Sequence, residues 1–400
     1  MTKQIHDWVS RLRVAAAIAL LCAVGGGAVL AWDGFNWDTW REITGVEAPQ
    51  VSNPQSGQAD LVPLLAKEEP DSARIDTPEA WEAKRARIVD VLEAFLGTPG
   101  PIEKPEPYAE VLGEEDMGAY VRRHLRIVSG SDDSIPAYLL VPKKLQQNPS
   151  PAMIVLHQTQ APGKQEACGM IGDPNMAFAL ELVERGYICI APDAIGFGER
   201  IPEGEQPYYG AHDFYRKHPD WSFFGKMNWD VQRVIDYLET IPEVDASRIG
   251  CMGHSHGAYG TIMAAAFDTR IKAAIASCGF TTLRTDPRPD RWSHLTALLP
   301  RLGFYIDDID QAPFDWHEIA ACIAPRAYFN HATLNDDIFP NTENLSTVYV
   351  QLGEVYGLYD ARDRFYGSLV TGAHSIPPAS RQTAYEWLDQ QFGFDPKTGN

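Results

Sequence analysis

The chain has 400 residues, 44% hydrophobic and 22% charged, with a formal net charge of -20 at pH 7. That composition is globular, and the length suits one α/β domain with insertions or two smaller domains. The acidic balance argues against nucleic acid as a partner, because neutralising phosphates takes clustered Lys and Arg.

At the N-terminus, Lys3, Arg11 and Arg13 precede the apolar run "VAAAIALLCAVGGGAVLA" of residues 14–31. Basic residues before an apolar core describe a signal peptide, with Val29-Leu30-Ala31 at the cleavage position. The run also approaches the length of a membrane span, so an N-terminal anchor is the alternative for residues 1–31. Either reading exports the rest of the chain, to a periplasmic or extracellular location. Leu21 before Cys22 argues against a lipid-modified cysteine. The other cysteines, Cys168, Cys189, Cys251, Cys278 and Cys322, are odd in number and lack C-x-x-C spacing. They suggest neither a zinc site nor a disulfide framework.

Residues 32–75 read as a linker or extended arm, rich in Pro, Gln and Ser from Gly45 onward. Residues 76–400 read as the catalytic domain. "TPEAWEAKRARIVDVLEAFLG" opens it as a packing helix, with Thr77-Pro78 at its start, Trp81, Ile88, Leu92 and Phe95 at helical spacing, and Gly97 as C-cap. "YVRRHLRIVS" and "SIPAYLLVPK", joined by "GSDD", predict a hairpin. Strand-like and helix-like runs then alternate: "AMIVLHQ", "AFALELVERG", "YICIAPD", "MNWDVQRVIDYLETI", "SRIGCMGH", "GAYGTIMAAAFD" and "IKAAIASCG". After an interruption come "RAYFNHAT", "NLSTVYVQLGEVYG", "FYGSLVTG" and "SRQTAYEWLDQQF". The pattern predicts an α/β fold, with a mostly parallel central sheet and helices on both faces.

Gly253-His254-Ser255-His256-Gly257 joins a predicted strand directly to a predicted helix. There a G-x-S-x-G sequence forms a strained turn that lifts the serine above the carboxyl end of the sheet. The two glycines let strand and helix approach, and the new helix N-terminus offers free N–H groups to a developing anion. Ser255 is therefore the candidate nucleophile. His254 and His256 flank it on divergent sides without a third ligand nearby, so they read as packing groups and not as a metal site.

The base and its orienting acid should follow in the order Asp/Glu, then His. "RAYFNHATLNDDIFP" offers Asp336 and Asp337 after a strand. "GAHSIPP" offers His374 in the loop after the next one. His331, within a strand, reads as a packed histidine. For the oxyanion hole, one backbone N–H should come from His256 and one from Thr159, with Gln158 the alternative and His157 a structural anchor. No metal or organic cofactor is required.

These residues carry a resemblance. From about Trp81 to Phe392 the chain resembles the α/β-hydrolase superfamily, and within it the acetyl xylan esterase-like and dienelactone hydrolase-like branch. The matching pieces are "IVLHQTQAPGKQE", "RGYICIAPDAIGFGER", "DYLETIPEVDASRIGCMGHSHGAYG", "IAPRAYFNHATLNDDIFP" and "GAHSIP". Similarity to the esterase pattern D-x-x-x-P, read onto Asp336 and Pro340, favours Asp336 over Asp337. Two departures stand out: His157-Gln158-Thr159 replaces a His-Gly-aromatic loop, and Ser255 stands where dienelactone hydrolases use cysteine.

Two irregular segments, residues 198–226 and 280–316, interrupt the alternation as candidate lids. Within them Tyr208, Trp221 and Trp292 are candidates for stacking on a sugar or aryl group. The expectation is an exported serine ester hydrolase acting on a carbohydrate or small acyl ester, such as an acetyl (xylan) esterase. Two rivals stand beside it. A serine peptidase of the prolyl-oligopeptidase type shares the triad order but usually carries an N-terminal propeller. A non-catalytic binding module on the same scaffold usually lacks a triad residue.

Overall fold

A computed structural model of the chain describes residues 35–51, 61–66, 74–100 and 104–396. The expectations for residues 1–31 lie outside these, and among the described residues no helix is long and apolar enough to cross a membrane.

The residues expected as a linker or arm are packed where they are described. Helix α1 (Trp37–Thr44) buries Trp40, and the Trp37 indole donates to the Pro300 carbonyl at 2.8 Å. Val62 and Leu64 are also buried, and the His317 Nε2–H donates to the Val62 carbonyl at 2.7 Å. Helix α2 (Pro78–Leu96) follows with the expected caps: Thr77 accepts from the Ala80 N–H, and Gly97, at φ 69, donates to the Glu93 carbonyl. Its buried side includes Trp81, Ile88, Leu92 and Phe95.

Among the described residues, nine strands form one sheet in the order β1-β2-β3-β5-β4-β6-β7-β8-β9. The strands β1 (Ala109–Asp116), β2 (Tyr120–Val128) and β3 (Ser134–Pro142) run antiparallel at one side. The strands β4 (Ser150–Leu156), β5 (Ile188–Pro192), β6 (Val244–His254), β7 (Ile271–Ser277), β8 (Ala327–Thr333) and β9 (Phe365–Val370) form a parallel block. The helices between them are α3 (Lys164–Ala167), α4 (Phe178–Glu184), α5 (Ala211–Lys217), α6 (Phe223–Leu238), α7 (His256–Phe267), α8 (Trp316–Ala321) and α9 (Leu345–Gly357), with α10 (Pro378–Phe392) last.

Alternation along β4 divides the core in two. Ala152, Ile154 and Leu156 join one apolar cluster with α2, α6 and α7; Met153 and Val155 join another with α4 and α10. A strand whose successive side chains point to opposite faces needs apolar residues throughout when helices cover both. This is the doubly covered parallel sheet that the sequence pattern predicts. Strand β1 has no such pattern, since nearly all of it is exposed. Cross-strand ion pairs accompany it instead: Glu110, Glu114 and Glu115 meet Arg126, Arg123 and Arg122 of β2.

All five cysteines beyond residue 34 are free and buried.

Candidate active site

Strand β6 turns into α7 at Ser255, whose backbone sits at φ 53 and ψ -117. This is a left-handed position that costs an L-residue energy and persists only where the surroundings enforce it. The glycines do that by contact. A Cβ on Gly253 would lie 2.2 Å from the Gly257 backbone, and one on Gly257 would lie 2.1 Å from the Leu156 carbonyl oxygen. The Ser255 N–H donates to the Ser277 carbonyl at 2.8 Å, which ties the turn to the end of β7. At the first position of α7, His256 has no acceptor within the helix for its N–H.

Register brings the other loops alongside. Leu156 pairs with Gly253, so residues 157–159 leave the sheet beside the elbow. On the other flank, β6 is followed by β7, β8 and β9, which deliver the loops carrying Asp336 and His374. His374 Nδ1–H donates to Asp336 Oδ2 at 2.8 Å. The other Asp336 oxygen accepts from the N–H groups of Ile338 at 2.9 Å and Phe339 at 2.8 Å, which fixes the carboxylate's orientation. Asp336 is buried, whereas its neighbour Asp337 is exposed. His374 Nε2 is buried and meets no hydrogen-bond partner among the described residues.

The two histidines beside Ser255 face apart, and each has its own partner. His254 hydrogen-bonds Ser277 through Nδ1 at 3.0 Å, and its ring centroid lies 4.7 Å from that of His374. His256 donates from Nδ1 to the His157 carbonyl at 3.3 Å and stacks on the His157 ring at 5.6 Å. His157 in turn accepts the Ala194 N–H at Nε2 and donates from Nδ1 to the Gln158 carbonyl, anchoring the loop as expected. His331 lies buried in β8 against Ser368.

Burial dominates the titration of these rings. It holds His254 well below the ordinary 6.5, with His374 and His331 adding repulsion. It holds His256 at about 3 and His331 at about 4, and lowers His157 as well. A histidine kept neutral in the fold charges freely when unfolded, so the unfolded chain binds more protons once pH drops below about 6.5. Stability is therefore lost as pH falls from 6.5 toward the folded values. His317 opposes this in part, because Asp315 raises it against its burial. His218 and His294 are lowered by burial too, so with six rings against one the melting temperature is expected to fall by more than about 5 °C between pH 7 and pH 5. Calorimetry checks this; an unchanged or rising value contradicts it.

Sequence reasoning missed a charged clamp behind the oxyanion-side loop. Lys164 is fully buried, its Nζ 2.6 Å from Asp193 Oδ2 and in contact with Glu199. Asp193 also accepts the N–H groups of Lys164 at 2.8 Å and Glu199 at 3.0 Å. Gly163 and Gly198 make room, since a Cβ on either would lie 2.3 or 2.1 Å from Asp193 Oδ1. Removing one partner of a buried pair leaves an uncompensated charge. Asp193→Ala is expected to destabilise the fold by about 3–5 kcal/mol. Urea unfolding measures it, and a loss below about 1 kcal/mol would show that Lys164 finds other support.

Thr159 is half-buried, and its side chain lies near the Tyr259 hydroxyl. Tyr208, Trp221 and Trp292 are all buried. Tyr208 meets Phe197 edge-on, and Trp221 packs among Phe214, His218 and Trp229. Trp292 lies against Tyr259, Trp316 and Phe339. Tyr208 and Trp292 are covered by neighbouring rings, whereas Trp221, though buried, lies in the wall of an open cavity of about 650 Å³ with Phe214, His218 and Trp229.

Comparison with known proteins bears on what this geometry serves. Residues 190–284, which include Ser255, match a family model described as glucuronyl esterase, fungi. The chain is 26% identical over 381 residues to carbohydrate esterase MZ0003 of an unknown prokaryotic organism, covering 79% of this chain and 85% of that one. It is 30% identical over 187 residues to the 4-O-methyl-glucuronoyl methylesterase of Hypocrea jecorina (strain QM6a), covering 41% and 39%. Its fold is similar to that of a glucuronoyl esterase from Solibacter usitatus, with TM-score 0.66, 18% identity, and coverage of 87% and 100%.

Proposed function

We propose that this serine ester hydrolase cleaves carboxylic esters carried on carbohydrates, with a glucuronoyl ester as the preferred class. The observation that carries the chemistry is the Asp336–His374 hydrogen bond at the end of the same sheet as the strained Ser255 elbow. The substrate class is supported by the match of residues 190–284 to the glucuronyl esterase model and by the likeness to a carbohydrate esterase.

Ser255 Oγ attacks the ester carbonyl while His374 Nε2 takes its proton. Asp336 holds the imidazole in the tautomer with hydrogen on Nδ1 and stabilises the imidazolium that forms. The N–H groups of His256 and Thr159 receive the tetrahedral oxyanion. His374 then protonates the leaving alcohol; in the second half the same base takes a proton from water, which attacks the acyl-enzyme and frees the acid as the proton returns to Ser255. In a glucuronoyl ester the sugar is the acyl part, so Ser255 carries the uronic acid in the intermediate. In an acetylated xylan the sugar is the leaving alcohol. The resemblance to acetyl xylan esterases keeps this second class in view.

A panel on the purified protein separates them: methyl glucuronate, acetylated xylose and a peptide amide. The methyl glucuronate is expected to show a kcat/KM at least about tenfold above the others. Preference for acetylated xylose would move the sugar to the leaving side, and amide cleavage alone would favour a peptidase.

A further inference from the structure

Strand β7 ends at Ser277, and the next residue, Cys278, stands in the left-handed region at φ 49. This backbone position directs a buried thiol toward the loop after β9, with Sγ 3.5 Å from the Ser375 carbonyl and 3.9 Å from Thr333 Oγ1. The sulfur, a carboxylate oxygen of Asp336 and a ring nitrogen of His374 all lie within 4.8 Å of one another. The mechanism above gives the thiol no task.

We propose that the triad contains a latent inhibitory site for a thiophilic divalent cation such as Zn2+, bound by Cys278 Sγ, the Asp336 carboxylate and His374 Nδ1. The donor set is one that zinc takes readily, with bonds of about 2.3 Å to sulfur and about 2.0–2.2 Å to nitrogen and oxygen. Tetrahedral bonds of those lengths separate the donors by about 3.3–3.6 Å. The Asp336–His374 pair, now at 2.8 Å, must open by about half an ångström, and the sulfur must move inward. His374 sits half-buried on a loop, so it can yield.

Binding changes the tautomer. In the resting site the imidazole proton is on Nδ1, donated to Asp336, and the Nε2 lone pair is the base. A cation on Nδ1 needs that nitrogen's own lone pair, so the imidazole proton moves to Nε2 and occupies the lone pair that served as the base. The base then becomes a donor and can no longer accept the Ser255 proton. The thiol loses its proton to solvent as the sulfur–metal bond forms, so each cation bound releases one proton.

This inference rests on His374 as the base, and its test reads separately from that assignment. Wild type and Cys278→Ser are titrated with Zn2+ while hydrolysing a model ester. Without metal, their turnovers should agree within about twofold. The half-inhibiting Zn2+ concentration should be at least about tenfold higher in the variant, and a chelator should restore wild-type activity. Co2+ added to the wild type should give a thiolate-to-metal absorption band that Cys278→Ser lacks. Equal inhibition of both proteins, or absence of the band in the wild type, overturns the site. If Cys278→Ser fails to fold, Cys278→Ala replaces it, and the wild-type cobalt spectrum still decides. Failure of the triad reading would appear elsewhere, as turnover retained when Ser255 is removed.

Discussion

Ser255→Ala should retain the fold and lose ester hydrolysis by several orders of magnitude, since removal of a triad serine costs about 10⁶ in turnover in a well-studied case. The fold should survive for a local reason. Ser255 makes no side-chain capping bond to α7, so removing its hydroxyl leaves no buried N–H without a partner there. The strain at φ 53 belongs to the backbone, and alanine bears it as serine does. The turn is enforced from outside by the contacts of Gly253 and Gly257 and by the bond from the Ser255 N–H to Ser277. Those constraints are untouched. Circular dichroism and melting temperature should therefore match the wild type, while a fluorophosphonate probe no longer labels the protein. A folded variant that keeps more than about a tenth of wild-type turnover would remove Ser255 from the mechanism.

How much of this was legible before the structure depends on what each residue's neighbours are. The elbow was legible because the apolar period changes from 2 to 3.6 across five residues bracketed by glycine, a local signal. Asp336 and His374 were legible from chain order, since each follows a strand of the parallel block. Strand β1 was not, because pairing of its glutamates with arginines on β2 leaves no apolar alternation to read. Nor was the Lys164–Asp193 clamp, because a lysine between Gly163 and Gln165 looks solvated until the sheet closes over it. The aromatic insertions were ambiguous for a related reason. Large rings in irregular segments mark either a binding face or a small core, and composition does not separate the two. Here Trp292, Tyr259 and Trp316 bury one another.

The choice between adjacent aspartates is the sharper test of the mechanism. Asp336 is buried, bonds His374 Nδ1 at 2.8 Å, and accepts two backbone N–H groups from the loop that follows. Asp337 is exposed. The change Asp336→Asn keeps the size and can keep the two N–H bonds through its carbonyl oxygen. What it removes is the charge and the acceptor facing His374. The amide can then present N–H₂ to Nδ1, which favours a proton on Nε2 and takes away the base. Turnover should fall by about three to four orders of magnitude, as when a triad aspartate becomes asparagine. Asp337→Asn removes one charge in high-dielectric surroundings and should cost less than about tenfold. The two variants, one ester substrate and a shared melting curve suffice. If Asp336→Asn folds and falls less than Asp337→Asn, the acid is Asp337 and the observed bond to His374 serves only to hold the loop.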